Sequence, residues 1–182
     1  MHKLFSTTRS GFSLLEVVIY VTLFSLVSTM TLNIMFQTVS AFNNLRISRD
    51  INDSSVKIME RLTRDIKSAT SVNQANSTFN TSPGMLTLET IDKDGGVLWV
   101  QYILDGDALH LREADSLANL ALPGSDKGSL LSSQTSVSGV LFNYISAGSA
   151  EAVKIDLHIT ASRGKISDTD HFYDTVIARG TY

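Results

Sequence analysis

The sequence predicts an α+β fold in which one long N-terminal helix packs on an antiparallel sheet. Two observations carry this prediction. Helix-compatible sequence runs without a proline from residue 12 to residue 70, and from residue 85 onward several short segments alternate between apolar and polar residues. A long helix followed by consecutive strands is the order expected when a helix covers an antiparallel sheet.

The first half of the predicted helix has the length of a membrane span. Between Phe12 and Phe36 the only charged residue is Glu16. This stretch exceeds the roughly 20 apolar residues that cross a hydrocarbon core as a helix. Threonines such as Thr22 and Thr29 are tolerated there because their hydroxyls can bond back to the preceding turn. Residues 12–36 are therefore expected to form a transmembrane helix in contact with lipid.

The segment ahead of this helix, residues 1–11, indicates its orientation. It is polar and carries Lys3 and Arg9 but no acid. Positive charge beside the first apolar segment keeps that end in the cytoplasm. We therefore expect a single-pass protein of the cytoplasmic (inner) membrane, with its C-terminal part in the periplasm or outside the cell.

Glu16 is the unusual residue of this segment, because a carboxylate in lipid costs a few kcal/mol on insertion scales. Three interpretations are open. The segment could be an ordinary signal anchor, or a cleaved secretory signal ending at the small-x-small sequence Val39-Ser40-Ala41. Against the second interpretation, the apolar run is longer than the 7–15 residues of a signal core. In the third interpretation Gly11, Phe12 and Glu16 act together.

The sequence G-F-S-L-L-E-V-V-I-Y, which starts at Gly11, resembles the class III signal of type IV pilins and of the pseudopilins of type II secretion. In that family a prepilin peptidase cuts after the glycine and methylates the new amino group. The resemblance implies cleavage between Gly11 and Phe12, with Phe12 as the N-methylated terminus. It also implies that Glu16 pairs with the Phe12 ammonium of its own or a neighbouring subunit during filament assembly. The implied partners are the prepilin peptidase and other pilin or pseudopilin subunits.

Beyond the apolar segment, residues 37–70 are expected to continue the helix as an amphipathic one. Met59, Leu62, Ile66 and Ala69 recur at spacings of 3, 4 and 3 residues, while charges of both signs occupy the other positions. Such a pattern indicates one buried stripe and a solvated opposite face. The polar stretch that follows ends the helix.

Residues 71–182 are expected to form a globular antiparallel β domain. Alternation predicts strands over residues 85–91, 97–104, 108–113, 137–145, 152–162 and 172–182, with a hairpin turn at 92–96 and a loop-like insert over 114–136. Residues 61–69 (R-L-x-R-D-I-x-S-A) and 102–112 also resemble J-type minor pseudopilins and related minor pilins.

Candidate chemistry in this domain is weak. Asp92 and Asp94 have the opening of a calcium loop but lack its later acids, so a hairpin turn explains them equally well. Asp168, Asp170 and His171 together could hold a metal, although acids in a polar loop are common without one. No metal, cofactor or catalytic residue is assigned. The net charge of −3 gives no basic footprint for nucleic acid.

Two function classes follow. In the first, the chain is a minor pilin or pseudopilin that works by assembly into a pilus-like or type II secretion filament. In the second, it is a single-pass, membrane-anchored extracytoplasmic binding domain that does not polymerise. Neither class is an enzyme.

Overall fold

The structure is a computed structural model that describes residue 11, residues 13–147 and residues 150–178. The chain divides into two compact units, Met1–Phe42 and Asn43–Tyr182. One helix, α1, spans Leu14–Ser68, and the strands that follow are β1 (Ser71–Val72), β2 (Met85–Ile91), β3 (Val97–Asp105), β4 (Ala108–Ala114), β5 (Asp126–Ser129), β6 (Thr135–Ala147), β7 (Ala150–Arg163) and β8 (Ile166–Ile177).

The prediction of an α+β fold, with a long helix packed on antiparallel strands, is confirmed. The strands form two sheets where the sequence suggested one. A five-stranded sheet has the order β1-β2-β3-β4-β5, and a three-stranded sheet has the order β6-β7-β8. Every neighbouring pair is antiparallel.

In the second unit α1 buries one stripe of its surface. Leu62, Ile66 and Ala69 are fully buried, as their spacing predicts, whereas Met59 is only partly buried. The stripe continues toward the N-terminus through Ile58 and beyond, at intervals that keep these side chains on one helical face. Its fully or almost fully buried aliphatic residues within the helix are Ile47, Ile51, Ile58, Leu62 and Ile66.

Both sheets contribute apolar faces to the core that this stripe joins. In the first sheet Leu86, Tyr102 and Leu111 are cross-strand neighbours in one row, and all three are buried. In the second sheet Phe142 lies opposite Ile155, and both are fully buried. Together with the helical residues they form a single hydrophobic cluster.

A network of charged and polar groups ties α1 to the first sheet. Asp65 accepts a hydrogen bond from the Tyr102 hydroxyl at 2.6 Å. Its carboxylate also forms an ion pair with Arg61, whose Nε lies 2.8 Å away. Arg61 also reaches Glu113 on β4 at 2.9 Å. The two short motifs at residues 61–69 and 102–112 therefore contact each other. Burial, and next the Asp65 carboxylate, raise the pKa of the Tyr102 hydroxyl far above its ordinary value.

Other polar contacts tie the N-terminal part of the stripe to the second sheet. The Arg163 guanidinium on β7 lies 2.9 Å from the Asp50 carboxylate. Ser54, which is buried on the helix, shares a 3.1 Å hydroxyl contact with Thr135 at the start of β6. The helix is thus held by both sheets.

Several details differ from the predictions. The stretch over 114–136, predicted as a loop, contains two 3-10 turns and the short strand β5, which pairs with β4. The last strand is described from Ile166, not from residue 172, to Ile177, and residues 179–182 of the predicted strand lie outside the described residues. A register shift between Val137 and Gly139 on β6 lets Val137 and Val140 both face the core, which breaks simple alternation.

Tyr102→Phe is expected to lower the free energy of unfolding of the second unit by about 1.5–3 kcal/mol, the usual range for a hydrogen bond to a charged group. The side chain of Tyr102 is fully buried, so water cannot replace the lost donor. Urea unfolding followed by the fluorescence of the single tryptophan, Trp99, measures the change. Tyr173→Phe, at a side chain that is 61% exposed, is the matched control and should stay near wild type.

The difference between wild type and Tyr102→Phe should shrink at alkaline pH. Because folding raises the pKa of Tyr102, the unfolded chain loses this proton first, near pH 10 for an ordinary tyrosine. The stabilisation is therefore fully present below about pH 10 and declines above it, by at most about 1.4 kcal/mol per pH unit. A difference that is the same at about pH 8 and about pH 11 would contradict this account of Tyr102.

Candidate functional site

The residues with the most specific motif lie at the N-terminus of α1. Gly11 is exposed, and among the described residues beyond its chain neighbours no atom lies within 4 Å of the position that a Cβ would take. The backbone carbonyl of Ser13 accepts the N–H groups of Glu16 at 3.0 Å and Val17 at 3.2 Å, which starts the first helical turn. Phe12, the predicted N-methylated terminus, lies outside the described residues.

Glu16 occupies this first turn, where the positive end of the helix dipole favours a carboxylate. It is half-buried, and the hydroxyl of Tyr20, one turn later, donates a hydrogen bond to its Oε1 at 3.1 Å. A phenol supplies a hydrogen bond but no charge. Tyr20 therefore orients Glu16 without neutralising it.

The described part of the first unit shows no core of its own, because no residue from 13 to 42 is buried. The helix is long and apolar enough to cross a membrane, as judged by its length and composition. A continuous exposed apolar surface is typical of a site that contacts a membrane or another protein. The large hydrophobic residues exposed on it are Leu14, Leu15, Val17, Val18, Ile19, Tyr20, Val21, Leu23, Phe24, Leu26, Val27, Met30, Leu32, Ile34, Met35, Phe36, Val39 and Phe42.

The threonines of the apolar segment bond to their own helix, as their type predicts. The hydroxyl of Thr22 donates to the Val18 carbonyl at 2.7 Å, and that of Thr29 donates to the Ser25 carbonyl at 2.8 Å. Such bonds satisfy a hydroxyl without a partner molecule. These side chains therefore do not oppose contact with lipid.

Asp92 and Asp94 lie in the turn between β2 and β3, as predicted. The Asp92 carboxylate accepts the backbone N–H of Lys93 at 2.7 Å, and its backbone pairs with Gly95 and Gly96. Gly95 has a positive φ of 81°, which suits glycine in a tight turn. The geometry of a hairpin turn accounts for these residues.

The interpretation of Asp168, Asp170 and His171 as part of a polar loop is wrong, since all three lie in β8. Successive residues of a strand point to opposite faces, so both aspartates lie on the face opposite to His171. The structure therefore does not bring these three side chains together. On its own face of the sheet, His171 lies close to two residues of β7, Asp156 and His158. The sequence alone does not predict either of them as a metal ligand.

No protein-family model matches the chain, and no curated protein or solved structure is significantly similar to it.

Proposed function

We propose that this chain is a filament subunit, a minor pilin or pseudopilin, which is processed by a prepilin peptidase and acts by assembly in a pilus-like or type II secretion filament. The proposal places the leader, residues 1–11, in the cytoplasm. It places the β domain on the outer side of the cytoplasmic membrane.

One observation carries the proposal: an acid stands in the first turn of a helix, five positions after Gly11, and residues 14–42 of that helix are mostly apolar with none of them buried. A plain membrane anchor has no use for that acid. A filament subunit does, because cleavage after Gly11 turns the Phe12 nitrogen from an uncharged amide into an amine that is mostly cationic at neutral pH. Processing thus creates the counter-charge that Glu16 lacks.

The pairing is reasonable on helical geometry. Positions 12 and 16 are four apart, so they share a face if the helix extends to the new terminus. In a medium of low dielectric an ion pair is strongly favoured over either charge alone. The same pair can form between neighbouring subunits, and it would then fix their register in the membrane.

A cleaved secretory signal is less compatible with the fold. The sequence Val39-Ser40-Ala41 lies in the interior of α1, which continues without a break to Ser68. Cleavage there would remove part of a helix that leads directly into the buried stripe starting at Ile47. The small-x-small sequence is therefore better explained as ordinary helix.

The mature N-terminus is the deciding measurement. Mass spectrometry of the protein expressed with a prepilin peptidase should show N-methyl-Phe12. An intact leader would favour the membrane-anchored binding domain that does not polymerise. A terminus at Phe42 would favour the secretory signal. Either of these two results would exclude the filament subunit.

Gly11→Val should abolish processing, leaving a protein heavier by the leader peptide. A Cβ at this position has open space among the described residues beyond its chain neighbours, so the fold should be unaffected and the loss assigned to the peptidase. Gly96→Val is the matched control, since a Cβ there also meets open space. Normal-size mature protein from the Gly11 variant would refute the proposed cleavage site.

The proposed topology follows from Lys3 and Arg9. Alkaline phosphatase, which is active only outside the cytoplasm, should be active when fused after Tyr182, and a cytoplasm-dependent fluorescent reporter at the same site should be dark. The reverse pattern would show that the β domain stays inside the cell.

Glu16→Ala should leave leader cleavage intact and impair assembly. Removing the carboxylate makes insertion of the isolated subunit no worse. In a packed helix bundle, however, the Phe12 ammonium would lose its partner, at a cost of about 3–5 kcal/mol. Glu16→Gln should be intermediate at best, because an amide can accept a hydrogen bond but cannot neutralise a cation.

Cleavage and co-assembly with the cognate subunits are to be measured separately for each variant. Thr22→Val serves as the control, because the Thr22 hydroxyl bonds only to its own helix at the Val18 carbonyl, and this variant should assemble normally. Cleaved Glu16→Ala protein that assembles at the wild-type level would show that the acid has a role other than charge pairing.

A further inference from the structure

The outer face of the second sheet carries a cluster that the proposed function does not use. His158 on β7 lies directly opposite His171 on β8, and their ring centroids are 3.8 Å apart. Asp156, two residues before His158, lies on the same face, and its Oδ1 is 2.9 Å from His158 Nε2. Within the described part of the chain this is the group of three side chains whose ligand atoms, one from each, all lie within 4.8 Å of one another.

We propose that Asp156, His158 and His171 form a binding site for one divalent transition-metal ion of the zinc class. Three protein ligands with an open position for water are the usual arrangement of an accessible zinc site. The side chains of Asp156 and His158 are half-buried and His171 is exposed, so the ion can enter from solvent and keep a water.

The distances suit an ion after small side-chain movements. Ligand atoms bound at about 2.1 Å in a tetrahedral site stand roughly 3.4 Å apart. Asp156 and His158 are now closer than this, at the 2.9 Å of a hydrogen bond. They would separate slightly as the ion replaces the shared proton, while the exposed ring of His171 would close toward them.

The backbone already fixes the three positions. An i, i+2 pair on one strand and a residue directly opposite on its neighbour share a face of the sheet at close spacing. On the other side of β7, Gly139 of β6 lies opposite His158. A Cβ added at position 139 would stand 3.5 Å from Nδ1 of the His158 ring. The hydroxyl of Tyr173, which lies opposite Asp156, is 3.4 Å from Nδ1 of His171 and is a further polar group beside the three side chains.

The donor set decides the class of metal. Two imidazole nitrogens and one carboxylate oxygen suit zinc and its neighbours in the first transition row, whereas calcium and magnesium prefer sites made of oxygen alone. An ion here would also link β7 to β8, which is an edge strand of its sheet. The proposal does not depend on processing or assembly of the chain.

The test uses the full-length chain in detergent micelles, without a polyhistidine tag and after removal of metal. Titration with zinc chloride in a calorimeter, with metal content measured after dialysis, should give one tightly held Zn²⁺ per chain. Calcium chloride at the same concentrations should neither bind this site nor displace zinc from it. Absence of stoichiometric zinc binding by the folded wild-type chain would overturn the proposal.

His158→Ala and His171→Ala should each weaken zinc binding at least about 10–100-fold, the range already seen when only a supporting residue of a metal site is removed. His110→Ala is the matched control. His110 pairs with Asp126 at 3.0 Å, much as His158 pairs with Asp156, but it lies on β4 of the other sheet. Zinc binding should be unchanged in this variant, and every chain compared keeps His2, so any contribution of that residue cancels.

Two further measurements separate a metal site from a structural contact. Circular dichroism of the metal-free chains checks that each variant is folded, and Asp156→Asn, which can keep the hydrogen bond to His158, replaces His158→Ala if that variant fails to fold. Cobalt(II) should give the intense visible absorption of a four-coordinate ion in wild type and in His110→Ala, but not in His171→Ala. Equal zinc affinity in wild type and His171→Ala would show that the histidines only stack.

Discussion

The packing of one helical stripe against two separate sheets is the interaction on which the globular unit depends. Each sheet has one apolar face to bury, and the stripe from Ile47 to Ile66 joins both faces in a single cluster. Burying apolar surface stabilises a fold by about 25 cal/mol per Å², and the stripe and both sheets bury their apolar side chains in this contact. Removing the helix would leave two open sheets with exposed cores, so the β domain and the second half of α1 have to fold together.

The polar contacts along the stripe make this packing specific. Hydrophobic burial is non-directional, and a helix could slide along a sheet with little change in buried area. Two contacts with the sheet oppose such sliding: Asp65 accepts the hydrogen bond of the buried Tyr102 hydroxyl, and Arg61 pairs with Glu113 on β4. The Asp50–Arg163 pair fixes the other end of the stripe on the second sheet. A shift of one turn would leave the buried Tyr102 hydroxyl without its partner, which costs more than the hydrogen bond itself contributes.

The sequence predicts those features that depend on local periodicity. The helix, the hairpin of β2 and β3, and the buried Leu62, Ile66 and Ala69 follow from spacing alone. The division into two sheets, the two-residue strand β1 and the short strand β5 do not, because they depend on which distant segments pair. The bulge on β6 disrupts the alternation of its core residues. In β8 the exposed Asp174 stands between the apolar residues Phe172 and Val176 on the core-side face, so the sequence shows no clear alternation there.

Candidate sites, too, can be predicted from the sequence only where their residues are close together along the chain. Gly11 and Glu16 are found from sequence because their relation is a short spacing along one segment, whereas His158 and His171 become neighbours only through the register of β7 and β8.

The register of β7 and β8 also determines which face of the sheet the acidic residues of β8 occupy. Asp168, Asp170 and Asp174 lie on the core-side face of an edge strand yet remain exposed, and inward-pointing charges on an edge oppose pairing with the edge of another copy. The free edge at β8 is therefore a poor surface for pairing with another copy, whereas α1 exposes a long run of apolar residues between Leu14 and Phe42.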